Sequence, residues 1–225
     1  MKSIVKTVIL AGIALLFSCE TRAKKEDTSA SEENELLTDY TNQELSKYSR
    51  AYFASGCFWC VEAIFESVNG VKEVISGYSG GTENNPTYEQ VSYGNTSHAE
   101  AVEIYYDPKI VSFETLVQVF FGSHDPTTLN RQGPDRGAQY RSIAFYQNET
   151  EKNIIDRYIT GLDQAKAFKS PIVTQVLPFT KFWKAEDYHQ NYERNHPENP
   201  YVQQVSIPRL NRFKSNFTEL LKAEH

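Results

Sequence analysis

One junction constrains this chain more than any other. Arg50-Ala51-Tyr52-Phe53-Ala54 reads as a strand and runs almost directly into Gly56-Cys57-Phe58-Trp59-Cys60, which opens a helix from Phe58 to about Val68. So tight a turn puts Cys57 at or beside a helix N-terminus. The unpaired N–H groups and the helix dipole favour negative charge there. The expectation is a Cys57 thiol below the free value of about 8.5, reactive as its thiolate. Cys60 follows one helical turn later, near enough to close a disulfide.

The rest of the pattern extends this unit. Val71 to Tyr78 and Ala99 to Tyr106 read as strands, the second stopped by Asp107-Pro108. Between them lies a long loop with Ser79-Gly80-Gly81 and Asn85-Pro86-Thr87-Tyr88. Ser112 is an N-cap for a helix with Phe113, Leu116, Val117, Phe120 and Phe121 at helical spacing, ended by Gly122. A second long loop, Ser123 to Gln139, leads to a strand at Arg141 to Tyr146 and a helix at Glu149 to Leu162. Ile172 to Leu177 reads as one more strand, and Ile207 to Leu221 has room for one more helix. The order β-α-β-β-α-β predicts an α/β, two-layer sandwich of the ferredoxin-like split βαβ kind. Its sheet should be mainly antiparallel and extended by one strand, with C-terminal additions. Two long loops in one compact domain point to function.

The N-terminus has a different character. Lys2 and Lys6 precede an apolar run, Val8 to Phe17, too short to span a bilayer and laid out like a secretory signal. It ends in Leu16-Phe17-Ser18-Cys19, which resembles the lipobox of bacterial lipoproteins. That resemblance implies cleavage before Cys19 and lipid on its sulfur; the alternative is a plain signal peptide. Residues 19–47 are polar and rich in Glu, Lys, Ser and Thr, which predicts a disordered tether. The division is therefore 1–18 signal, 19–47 tether and 48–225 a single domain. An exported lipoprotein of the bacterial cell envelope, facing outside the cytoplasm, is the expected location.

Charge and cysteine usage narrow the function. Losing residues 1–18 removes two lysines and no acid, which moves the net charge from −6 to −8. That balance, without any basic patch, argues against nucleic acid. With Cys19 lipidated, only Cys57 and Cys60 remain, too few for a disulfide scaffold or a four-cysteine zinc site. His98, His124, His189 and His196 are scattered rather than paired at ligand spacing, so no metal is expected.

Seven motifs then come in order: Gly56-Cys57-Phe58-Trp59-Cys60, Gly77-Tyr78-Ser79-Gly80-Gly81, Asn85-Pro86-Thr87-Tyr88, His98-Ala99-Glu100-Ala101-Val102, His124-Asp125-Pro126, Asp135-Arg136-Gly137-Ala138-Gln139-Tyr140-Arg141-Ser142 and Asp187-Tyr188-His189-Gln190. Together they resemble the type A peptide methionine sulfoxide reductases, from about Tyr48 to about Tyr201. The resemblance implies reduction of the S epimer of methionine sulfoxide, free or in peptides. It makes Cys57 the nucleophile that becomes a sulfenic acid and Glu100 the proton donor. It makes Tyr88 and Tyr140 hydrogen-bond donors to the sulfoxide oxygen, Asp135 a polar residue of the same pocket, and Phe58 and Trp59 walls for the S-methyl group. By the residues alone, Glu100 in an alternating strand would face solvent, Phe58 and Trp59 would be core, and the tyrosines would be unremarked. His189-Gln190 reads as structural or rim.

The chain also departs from that family. Many members carry a recycling cysteine near the C-terminus and glycine where Cys60 stands; here Asn199-Pro200-Tyr201-Val202 is followed by no cysteine. This implies that Cys60 resolves the sulfenic acid as a Cys57–Cys60 disulfide. An external dithiol, a thioredoxin-like partner of the envelope, would then reduce it, with no other cofactor. The expected partners are thus oxidised proteins or peptides, that donor and a membrane reached through lipid, for a monomeric enzyme. The CxxC alone also fits a thiol–disulfide oxidoreductase of the envelope.

Overall fold

A computed structural model describes residues 43–223. The signal segment, Cys19 and most of the tether lie outside the described residues. Residues 43–45 form a helical turn, and Leu45 is buried.

Six strands make one sheet: β1 (Ser49–Ser55), β2 (Val71–Ser79), β3 (Ala99–Tyr106), β6 (Ser142–Tyr146), β7 (Gln175–Pro178) and β8 (Phe182–Lys184). Their order is β7-β6-β1-β3-β2-β8. The inner four, β6-β1-β3-β2, are all antiparallel and are the β-α-β-β-α-β unit read from the pattern. β7 adds in parallel to β6, and β8 adds antiparallel to β2. The sheet is thus extended at both edges, not one. Three residues of β8 carry too short a pattern to register as a strand, and β7 starts later than Ile172 because Val173 instead donates its N–H to the carbonyl of Pro126. A separate two-stranded ribbon pairs β4 (Arg131–Gln132) with β5 (Asp135–Arg136) inside the second long loop.

Helices α1 (Phe58–Glu66), α3 (Phe113–Gly122), α4 (Glu149–Gln164) and α6 (Ile207–Asn216) share one large core with the sheet. Phe53 sits there against Phe65 and Phe120, whereas its neighbours Tyr52 and Ala54 join a smaller cluster on the opposite face with Ile143 and Phe145. Both faces of the central strands are therefore covered, which is why β1 reads as a nearly continuous apolar run. The first long loop contains a short helix, α2 (Tyr88–Ser92), held by a Thr87–Gln90 capping box, and a further short helix, α5 (Tyr192–Asn195), follows the sheet.

Candidate active site

The turn between β1 and α1 requires Gly56. Its φ is +90°, and a Cβ there would lie 2.6 Å from Cβ of Gln132. The turn delivers Cys57 as the N-cap of α1, with its side chain capping nothing. The helix's first N–H goes elsewhere: Phe58 N donates to Glu100 Oε2 at 3.0 Å.

Glu100 reaches that point because β3 is central. Along β3, Ala99 and Ala101 face the smaller cluster, so Glu100 turns to the same side as Val102 and Ile104, under the start of α1. It is 2 % exposed. Burial raises its carboxyl to about 8 against the single opposing hydrogen bond from Phe58. Glu100 is therefore a neutral acid at pH 7, with Oε1 making no hydrogen bond to the described residues. The solvent-facing position that strand alternation alone would assign is overridden by the cover on both faces of the sheet.

Cys57, Phe58, Trp59, Tyr88, Glu100, Asp135, Tyr140, Asn199 and Tyr201 line one cavity of about 330 Å³. All eight sequence-selected residues of the domain meet here except Cys60, which lies directly behind Cys57 and is 1 % exposed, against 7 % for Cys57. An adjoining cleft of about 530 Å³, lined by Trp59, Glu62, Glu66, Tyr192 and Leu210 among others, holds no thiol. Among the described residues no group of three or more His, Cys, Asp or Glu is placed to hold a metal ion.

The aromatic wall is rigid. Trp59 stacks on Tyr192 at 3.7 Å between centroids, and its Nε1–H donates to His189 Nδ1 at 3.1 Å. The His189 ring also lies 4.3 Å from that of Tyr88 and 5.0 Å from that of Phe58. Burial lowers His189 to about 4, so it is neutral and accepts from Trp59. Tyr88 starts α2, its N–H held by Glu186 Oε1 at 2.9 Å; Tyr140 ends a 3-10 turn, Ala138–Tyr140. Burial raises both phenols, Tyr88 to about 12, so both remain proton donors.

The two cysteines share a proton unevenly. Both are free thiols. Burial and the adjacent Cys60 push the Cys57 thiol up. The Cys60 thiol is lowered to about 6, chiefly because it accepts the Cys57 S–H and then because Arg209 and Ser206 favour its charge. The expected low-pKa Cys57 is thus not the resting state of the pair. The reason is burial first and the Cys60 thiol beside it second, which together outweigh the helix start.

Sequence reasoning missed three contributors. Tyr201 Oη donates to Asp135 Oδ2 at 2.6 Å and sits 3.9 Å from Cys60 Sγ, so its one proton can turn to either. Asn199 lines the cavity and accepts the N–H of Tyr201 with Oδ1 at 2.9 Å. Arg209 approaches from α6. An Asn-Pro-Tyr turn was the visible signal for the first two; nothing local marks Arg209. His189-Gln190, read as structural or rim, is structural: His189 is buried against the cavity wall, and Gln190 ties the main chain of Ser76 to the C-terminal segment at 3.0 Å.

Comparisons with known proteins agree with this geometry. The family model described as peptide methionine sulfoxide reductase matches residues 49–221. The chain is 42 % identical to peptide methionine sulfoxide reductase MsrA of Polynucleobacter asymbioticus over 189 residues, 84 % of this chain and 100 % of that one. It is 47 % identical to MsrA 2 of Synechocystis sp. over 176 residues, 78 % of this chain and 82 % of that one. Among solved structures it resembles methionine sulfoxide reductase A of Corynebacterium diphtheriae, with TM-score 0.60 and 34 % identity over 67 % of this chain and 76 % of that one. It also resembles reduced Mxr1 from Saccharomyces cerevisiae, with TM-score 0.62 and 30 % identity over 68 % and 88 %. These matches leave no ground for the alternative of a CxxC thiol–disulfide oxidoreductase, and the chain belongs to the peptide methionine sulfoxide reductase family of oxidoreductases.

Proposed function

We propose that this protein reduces methionine S-sulfoxide, in peptides and free, by a two-cysteine cycle. The observation that carries it is a neutral Glu100 in one aromatic cavity with Cys57, Tyr88 and Tyr140. The S-methyl group packs against Phe58 and Trp59, and the sulfoxide oxygen accepts from Tyr88 and Tyr140. The Cys57 proton passes to Cys60 or the bound oxygen as the thiolate attacks the sulfoxide sulfur. Glu100 protonates the oxygen. The S–O bond breaks as the hydroxyl passes to Cys57 Sγ, the transient bond between Cys57 Sγ and the substrate sulfur breaks, methionine leaves, and Cys57 is left as a sulfenic acid. Cys60 then attacks Cys57 Sγ, water leaves, and a Cys57–Cys60 disulfide forms. An external dithiol of thioredoxin type returns both thiols and becomes a disulfide itself, with no other cofactor.

We further infer that Cys19 carries lipid and that the enzyme works at the bacterial envelope, outside the cytoplasm. Support comes from the basic start, the run Val8 to Phe17 and Leu16-Phe17-Ser18-Cys19. We also propose that it acts as a monomer, since Cys57, Tyr88, Glu100 and Tyr140 of a single chain meet in one cavity.

The test is turnover of S- and R-sulfoxide peptides with dithiothreitol by the wild type, Cys57→Ser and Cys60→Ser. Only the S form should be reduced, Cys57→Ser should be inactive, and Cys60→Ser should stop after one turnover with a thioredoxin donor. An active Cys57→Ser ends the proposal. For the anchor, Cys19→Ala should move the protein out of the membrane fraction; an unchanged distribution, or an unmodified Cys19 in the mass spectrum, ends that part.

A further inference from the structure

Arg209 is a cation built into the protein behind the cysteine pair. It is 6 % exposed and comes from α6, seated by Phe213 one turn further along the same helix face. Its Nε–H donates to the Ser123 carbonyl at 2.8 Å, and Nη2 donates to the Ser55 carbonyl at 3.0 Å and to Ser55 Oγ at 3.3 Å. Ser55 is the last residue of β1 before the Gly56–Cys57 turn. Nη1 makes no hydrogen bond to the described residues and lies 3.5 Å from where a Cβ on Gly56 would stand. A guanidinium is a fixed, planar cation, and pinning three of its N–H groups to β1 and the loop after α3 fixes where its charge sits. The oxidative chemistry above uses it only through Cys60, whose charge it favours.

Thiol–disulfide exchange proceeds by attack on one sulfur while the other leaves, in line with the S–S bond. Cys57 borders the cavity; Cys60 is 1 % exposed and does not line it. A donor thiolate coming through the cavity that methionine vacates meets Cys57 Sγ, and the leaving sulfur moves inward, toward Tyr201, Ser206 and Arg209.

We propose that Arg209 is a positioning residue for the reductive half of the cycle: the donor attacks Cys57 Sγ, and Cys60 leaves as a thiolate held by the Arg209 charge. The inference rests on the two-cysteine reading. In balance, the donor's first thiolate bonds to Cys57 as the Cys57–Cys60 bond breaks, and Cys60 takes the electron pair. The donor's second thiol then displaces Cys57, and one dithiol has become one disulfide. A lower-pKa thiol is the faster leaving group, so removal of a buried positive charge should slow this step most. The other charged or titratable groups around Cys60 are Cys57, Glu100, Asp135, Tyr201 and, through Ser206, Glu193.

The experiment oxidises the protein with diamide, so it needs no sulfoxide. A thioredoxin variant lacking its second cysteine is added, free thiols are alkylated, and fragment masses locate the cross-link. The expected link is to Cys57 with Cys60 alkylated; a link to Cys60 overturns the proposal. In parallel, disulfide reduction by dithiothreitol and single-turnover methionine release are timed from pH 5.5 to 9 for the wild type, Arg209→Met and Arg209→Lys. The ratio of reduction rate to release rate should fall about tenfold in Arg209→Met across this pH range and recover in Arg209→Lys. An unchanged ratio overturns the role of Arg209. Should Arg209→Met not fold, Arg209→Gln, which keeps donors for Ser55 and Ser123, replaces it under the same criteria. Failure to reduce sulfoxide at all would remove the proposed activity while leaving both readouts on the diamide disulfide intact.

Discussion

Glu100 Oε2 holds the backbone N–H of Phe58 at 3.0 Å, and this one bond links the acid to the nucleophile's helix. It anchors the carboxyl within the cavity, at the first residue of the helix that follows Cys57. The acid is thus placed by the same helix that carries the thiols, so the two move together.

Replacing Glu100 by Gln tests the acid role. Gln keeps an acceptor for Phe58 N–H and loses the transferable proton. Methionine release should slow by about 10²–10⁴. In the wild type, release should fall as pH rises through about 8, because ionised Glu100 cannot donate. Stability follows the same direction. The folded-state value lies above the ordinary 4.5, so the neutral carboxyl's contribution is complete below about 4.5 and lost as pH rises through about 8. Urea midpoints of the wild type should decline over that window more than those of Glu100→Gln. Parallel curves would remove Glu100 from both roles.

Tyr201→Phe should uncouple Asp135 from Cys60. The 2.6 Å bond to Asp135 is lost and its half-buried carboxyl is left without that donor, at a cost of about 1 kcal/mol. The change also removes the hydroxyl 3.9 Å from Cys60 Sγ. Disulfide formation after the sulfenic acid should slow, measured by quenching with a sulfenic-acid trap. Unaltered trapping kinetics would show that Tyr201 is only a wall.

His189 predicts an acid-side loss of stability. Burial holds its folded-state value near 4, below the ordinary 6.5. A depressed histidine contributes fully above 6.5 and loses that contribution as pH falls through about 4. His124, lowered to about 3 by burial, acts in the same direction. Denaturation midpoints should therefore drop between pH 6.5 and 4, and the slope should be shallower in His189→Gln. An equal slope in that variant rules the assignment out.

Gly56→Ala tests the turn itself. The φ of +90° costs an alanine about 1–3 kcal/mol, before the 2.6 Å clash with Gln132 is relieved. For a domain of this size each kcal/mol lowers Tm by roughly 2–4 °C. Differential scanning calorimetry should show that loss, and turnover should fall further because the clash displaces Cys57. A variant with wild-type Tm would mean the turn tolerates a side chain.

Local pattern by itself determined the inner unit of this protein. Apolar periodicity in β1, β2, β3, β6, α1, α3 and α4 is a short-range property, and so is the turn chemistry that sets Cys57 and Cys60 one helical turn apart. The motif residues Tyr88, Glu100, Asp135 and Tyr140 were legible only through their likeness to a family, since an isolated tyrosine or acid carries no local mark of its role. Tertiary structure decided the rest. It turned Glu100 inward because β3 is covered on both faces, left the shared proton on Cys57 with Cys60 as its acceptor, and brought Tyr201 and Arg209 to them from 141 and 154 residues away from Cys60 and Ser55. Charge state in a buried site depends on desolvation and on the groups packed around it, and those come from parts of the chain that no local window contains.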